Sequence, residues 1–223
     1  MKLALMMSTL CIASIGVVGC SSKVVEPGQY SGFLKDYSQL KEAKSPSGAE
    51  VMRWMDPKLK IDKFTSVYIE PTQLYPQPQP TVKIPQATLN GITGYYDQAL
   101  KRELGKSLPL ATGPGPGVIV VRAAITAVSS KTEGLKPYEV IPIALVAAAV
   151  STASGIRDQE TTLATEAVFL DGSNNSVVAQ VVRKGTGKPL ENDTQVMKTD
   201  DVKGVIDGWA SDLHQSYLKL KAR

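Results

Sequence analysis

One histidine, His214, and two cysteines, Cys11 and Cys20, are all that the chain offers in imidazole and thiol chemistry. A metal site drawn from several His and Cys donors is excluded by that count, and no metal or other cofactor is expected. His214 lies between Leu213 and Gln215 in a helical pattern and reads as a helix-surface residue. No G-x-S-x-G elbow accompanies it, so a serine nucleophile with a histidine base is not indicated. Carboxylates remain. Asp36, Glu133, Glu139, Glu166 and Asp171 supply groups that, as a facing pair, do acid-base work on a glycan. No spacing in the sequence pairs any two of them, and the chain is expected not to be an enzyme. Asp171 has a local explanation, since it opens the turn-forming run Asp171-Gly172-Ser173-Asn174-Asn175-Ser176 and can bond to nearby backbone N–H groups.

Two glycine-rich stretches bear on phosphate binding and fail its requirements. In Gly113-Pro114-Gly115-Pro116-Gly117 the prolines remove two backbone donors, and a strand pattern follows where a helix N-terminus is needed. Gly185-Thr186-Gly187-Lys188 has part of a phosphate-loop pattern, but Val182 stands where its first glycine belongs and Pro189 replaces the hydroxyl residue. Both stretches read as turns.

The elements that must position these residues follow from hydrophobic period. Ser66 to Glu70 and Val118 to Val128 are strand-like, the second apolar enough for a central strand. Thr161 to Leu170 and Val177 to Arg183 flank the Asp171 turn as a hairpin. Leu89, Ile92, Tyr96, Leu100 and Leu104 trace one face of a helix, and Val202, Ile206, Trp209, Leu213, Tyr217 and Leu220 trace another. Tyr30, Phe33, Leu34, Tyr37 and Leu40 suggest a short amphipathic turn or helix, and Val51 to Met55 a short strand or turn. The expected fold is therefore α+β: an antiparallel or mixed sheet with two amphipathic helices packed on one face, preceded by a cleaved lipoprotein signal peptide.

That leader rests on the N-terminus. Lys2 is followed by an uncharged apolar run from Leu3 to Val18, the outline of a secretion signal. Val17-Val18-Gly19-Cys20 then resembles the lipobox of bacterial lipoproteins, which implies cleavage between Gly19 and Cys20 and lipidation, palmitate included, of Cys20. Residues 1–19 are thus a signal peptide, 20–29 a lipidated tether of small, polar, Pro/Gly-bearing composition, and 30–223 a single α+β domain. Cys11 leaves with the leader, so the mature chain forms no internal disulfide. Ser21, in place of an aspartate, points to the outer membrane and a periplasm-facing domain. The net charge of +4, with both signs scattered, argues against nucleic acid as a partner.

Val140 to Val150 is apolar nearly all round, yet too short to span a bilayer. It is either a buried core helix or a surface covered by something else, and Ile143, Leu145, Val146 and Val150 are its candidate interaction residues. The prolines between Tyr75 and Pro80 offer a second docking surface.

Several phrases together resemble a known lipoprotein family, that of the domain of unknown function 3313. They are Ser31-Gly32-Phe33-Leu34-Lys35-Asp36-Tyr37-Ser38-Gln39-Leu40, Val67-Tyr68-Ile69-Glu70-Pro71, Arg122-Ala123-Ala124-Ile125-Thr126 and Trp209-Ala210. The resemblance implies a proteobacterial envelope lipoprotein and brings no catalytic residues with it. Two functions are expected in order: a non-enzymatic outer-membrane lipoprotein that binds a protein partner or oligomerises, and alternatively a module for a small envelope ligand, glycan or lipid, held between helices and sheet.

Overall fold

The computed structural model describes residues 24–132, 159–192 and 194–222. Cys20, the leader, Glu133, Glu139 and the run from Val140 to Val150 lie outside the described residues.

Seven strands make one mixed sheet. β1 (Lys41–Lys44), β2 (Glu50–Met55), β3 (Ser66–Ile69) and β4 (Gln73–Leu74) precede helix α1 (Gln86–Leu104), and β5 (Val118–Thr132), β6 (Gln159–Asp171) and β7 (Val177–Thr186) precede helix α2 (Lys203–Lys221). The spatial order is β1-β2-β7-β6-β5-β3, with β4 continuing the β3 edge alongside β5. Antiparallel pairing joins β1, β2, β7, β6 and β5, whereas β3 and β4 run parallel to β5. The parallel pair is explained by α1, because a crossover helix is what a parallel return requires. The central position expected for Val118 to Val128 is observed: β5 has neighbours on both sides and buries Val120, Val121, Ala123, Ala124 and Ile125.

Helix faces behave as their periods dictate. Leu89, Ile92, Tyr96, Ala99, Leu100 and Leu104 are buried on α1, and Ile206, Trp209, Ala210 and Tyr217 on α2, all in one cluster with Val67, Ile125, Leu163 and Phe169 of the sheet. The sheet alternates, so its other face needs a cover of its own. The stretch from Val25 to Leu40 supplies it, with Val25, Leu34 and Leu40 packed with Ala127, Ala164 and Val182. This stretch is called the arm below. No α-helix forms in it. A 3-10 turn over Pro27–Gln29 leads into irregular chain, Gly32 adopts φ +87°, and backbone N–H groups there bond to side chains instead of to carbonyls one turn back. The spacing of three and four that suggested a helix is met by a coiled loop. Val25, within the stretch read as tether, is also part of this packing and only 6 % exposed, whereas Glu26, Pro27 and Gly28 are exposed.

Gly185 lies within β7, not in a turn, and its reason is close approach. A Cβ there would meet Val205 Cγ1 at 2.6 Å and the Trp209 ring at 3.1 Å, so its absence lets α2 press onto the sheet. The Gly113 to Gly117 stretch is a connection, as expected, ending at φ +73° on Gly117. At the β6-β7 turn Asp171 accepts from the Ser173 N–H at 2.9 Å and hydroxyl at 2.6 Å, the local role read from its position. Lys63 adds a bond of 2.6 Å from a distant 3-10 turn. The Lys63 ammonium and the Ser173 donors hold the Asp171 carboxyl well below the usual range, at about 2.

A depressed folded pKa stabilises above the unfolded value near 3.8 and is lost as pH falls toward about 2. Asp171→Asn is therefore expected to lower stability at neutral pH by about 1–2 kcal/mol, discounted for the exposed Lys63 partner. In urea melts the gap between variant and parent should close on acidification through that window; a gap that widens in acid contradicts the assignment.

Candidate functional site

The two α-helices among the described residues are narrower together than the sheet they cover. Six strands side by side span about 24 Å at ~4.8 Å per spacing, against about 20 Å for two helices laid together. A cavity of about 130 Å³ lies between the sheet and the C-terminal parts of the two helices, lined from β2 across β7, β6 and β5 to Val67 of β3. Tyr96, Leu100 and Leu104 of α1, Phe169 of β6, and Trp209 and Tyr217 of α2 are among its walls. Its lining is almost wholly apolar.

The polar residues on the cavity's border include Arg53, Gln180, Asp212 and, buried on β7, Arg183. Cross-strand register places it opposite Thr165, on the helix side of β7. It is buried with Asp212 in an ion pair through Nη2. Nη1 donates to the Trp209 carbonyl at 3.3 Å, and the guanidinium lies 5.8 Å from the Trp209 ring centroid. Asp212 also accepts from the Ser47 N–H and hydroxyl, both at 2.9 Å. Burial pushes the Asp212 carboxyl up, but Arg183 and the serine donors outweigh it and the net shift is downward. One donor is left over. Arg183 Nε has no hydrogen-bond partner among the described residues, in a residue that is 7 % exposed and lines the cavity.

Glu166, on the opposite face, is 1 % exposed and serves as the arm's socket. Its Oε1 accepts the Ser31 N–H at 2.8 Å, while Oε2 accepts the Tyr37 hydroxyl at 2.6 Å and the Leu34 N–H at 3.3 Å. Tyr37 in turn accepts from the Gly32 and Leu34 N–H groups at 2.8 and 3.1 Å. Burial and the neighbouring Glu166 carboxylate push the Tyr37 hydroxyl up to about 12, so it remains a donor. The ring stacks on Tyr30 with centroids 4.4 Å apart. Every donor comes from the run Ser31 to Tyr37, which explains that phrase as a loop wound on one carboxylate.

His214 is not a surface residue. It is 8 % exposed, its Nε2 lies 2.8 Å from Ser107 Oγ, and its Nδ1 stands 4.0 Å from Glu103 Oε2. Serine, histidine and glutamate are thus in line. Acyl transfer also needs free N–H donors for an oxyanion, and the N–H groups of Gly105, Lys106, Ser107 and Leu108 all bond to carbonyls of α1. Lys106 and Arg102 occupy Glu103 and, against its burial, hold its carboxyl below the usual range. The cluster fastens the end of α1 to α2. Among the described residues no group of acidic, His and Cys side chains is placed to hold a metal ion, and no helix is long and apolar enough to cross a membrane.

The sequence named Glu166 and Asp171 as carboxylates and His214 as the lone imidazole, but gave Arg183 no role. Its only signal was a basic residue on the buried side of an apolar strand, opposite a helix that carries Asp212.

A family model described as "Protein of unknown function (DUF3313)" matches residues 29–213. The uncharacterized lipoprotein YdcL of Escherichia coli strain K12 is 40 % identical over 198 residues, which is 89 % of this chain and 89 % of that protein. Among solved structures, the PelC dodecamer from Paraburkholderia phytofirmans is similar at 12 % identity and a TM-score of 0.40, over 74 % of this chain and 96 % of that one. A hypothetical protein from Chlamydia trachomatis is similar at 12 % identity and a TM-score of 0.38, over 72 % and 95 % of the two chains. The family match takes in nearly all of the arm together with its socket.

Glu166→Gln replaces one acceptor oxygen by an amide that faces donors. It is expected to cost about 2–3 kcal/mol and to speed tryptic cleavage after Lys35, as urea melts and timed digestion would measure. Unchanged stability and digestion would remove Glu166 from this role.

Proposed function

This chain belongs to the DUF3313 family of proteins of unknown function, and from that premise we propose that it is an envelope lipoprotein, anchored by acyl chains on Cys20, whose domain binds a single-chain amphiphile between sheet and helices. The observation that carries the ligand is the apolar cavity with one unpartnered buried donor, Arg183 Nε. A volume of about 130 Å³ is close to that of hydrocarbon-lined cavities of roughly 150 Å³ that stay dry and admit benzene. It suits a short run of methylenes or one ring, and is too small and too apolar for a glycan.

The donor narrows the class further. A buried N–H without an acceptor costs about 1–3 kcal/mol, which a ligand oxygen recovers. Because Arg183 already has Asp212 as counter-charge, an uncharged acceptor such as an ester carbonyl fits better than a second anion. A monoacylglycerol-like molecule has both parts.

The anchor is supported by the Val17-Val18-Gly19-Cys20 motif and by the lipoprotein name of the Escherichia coli relative. Ser21 favours the outer membrane, with the domain facing the periplasm. We assign the protein no catalytic activity. Binding of a protein partner, or self-association, rests on Ile143, Leu145, Val146 and Val150, which lie outside the described residues, so the ligand has the better-supported claim.

Cys20→Ser is expected to abolish palmitate incorporation and leave the precursor uncut; labelling and maturation that proceed normally would refute the anchor. For the cavity, Trp54→Phe leaves Trp209 as the sole indole. Brominated monoacylglycerol, offered to the mature protein in phosphatidylcholine vesicles, should then quench its emission. Ala179→Leu, which fills space along the same wall, should restore it. Emission indifferent to the brominated lipid rules out the ligand reading.

A further inference from the structure

The arm shows how the domain must lie relative to the bilayer. Val25 is already buried, together with Leu34, Leu40, Ala127, Ala164 and Val182, so the chain is docked on the sheet almost from the first described residue. Four peptide steps separate Cys20 from Val24, and they reach at most about 14 Å fully extended. The polar layer of one leaflet takes up about 5–8 Å of that. Reaching the far side of the molecule means crossing the sheet and the helix layer, about 20 Å together. A strap of this length cannot turn the helix side toward the membrane.

The surface so presented has a matching chemistry. Tyr30, Phe33, Tyr37, Met52 and Trp54 are partly buried and cluster around the arm, and Phe33 meets Tyr75, which is 38 % exposed, edge to face at 5.7 Å. Aromatic side chains at a surface favour the headgroup level of a bilayer, and Tyr30, Phe33, Trp54 and Tyr75 are of that kind, whereas the Tyr37 hydroxyl is turned inward to Glu166. Exposed Lys35 and Asp36 offset one another on the arm, so the contact does not depend on anionic lipid.

We infer that the arm-covered face, centred on Tyr30, Phe33 and Trp54, rests on the headgroups of the membrane that holds the protein. This orientation rests on acylation of Cys20 as proposed above. It leaves the helix side and the open end of the cavity clear of the bilayer surface.

The two tryptophans are built-in reporters, Trp54 with the arm face and Trp209 with the helix side. The mature lipidated protein is placed in phosphatidylcholine vesicles containing lipid with a headgroup spin label. Emission from the parent protein should be partly lost, and Trp54→Phe, which retains only Trp209, should lose none. A bimane fluorophore on Lys35→Cys, a surface change that does not touch the core, should shift to the blue on vesicle binding. Protein that floats with vesicles yet shows unquenched Trp54 and an unshifted label overturns the orientation while the anchor stands. Protein that does not float with vesicles removes both.

Discussion

A carboxylate with no cationic partner among the described residues is buried where donors are already fixed around it, and Glu166 meets that condition through Ser31, Leu34 and Tyr37. The dependence runs both ways. Without the carboxylate the arm would hold three donors against a dry sheet, and without the arm the charge would face Ala127, Ala164 and Val182 unpaired. A sheet with two apolar faces and two helices has one face uncovered, and this polar contact is how an irregular segment closes it. The cover is specific in register, because hydrogen bonds to Ser31 and Tyr37 fix the arm where hydrophobic packing alone would let it slide.

On the other face the same shortage of cover has a different outcome. Helices α1 and α2 fill their own width, assisted by Gly185, and leave a cavity against β2, β7, β6 and β5. Arg183 and Asp212 border that space. Each is satisfied by the other and by Ser47 and Trp209, apart from Nε. A buried ion pair is weak evidence for stability, since apolar residues of equal volume often do as well. This pair stands beside an apolar cavity with one donor unpartnered, the two features on which the proposed ligand rests.

Much of this architecture could be read in the residues. The apolar density from Val118 onward and the helical faces of Leu89 to Leu104 and Val202 to Tyr217 buried nearly all the side chains that these patterns picked out, and Asp171 opens the turn read from its position. The arm could not be read this way. Tyr30, Phe33, Leu34, Tyr37 and Leu40 carry a helical spacing, but Gly32 at φ +87° and a carboxylate 129 residues from Tyr37 determine the outcome, and period analysis sees neither. The edge strand Lys41–Lys44 was missed because a charged edge has no apolar alternation to detect. Arg183 and His214 escaped for a related reason: their partners, Asp212 and Ser107, are brought to them by tertiary packing.

Helix α2 follows every strand of the sheet among the described residues, and its Ile206, Trp209 and Tyr217 belong to the same cluster as β3, α1 and β5. The strands can pair before it docks, but the inner side of the sheet then lacks half its cover. Closure of the core therefore waits on contacts between α2 and elements far from it in sequence, the kind of contact that forms slowly.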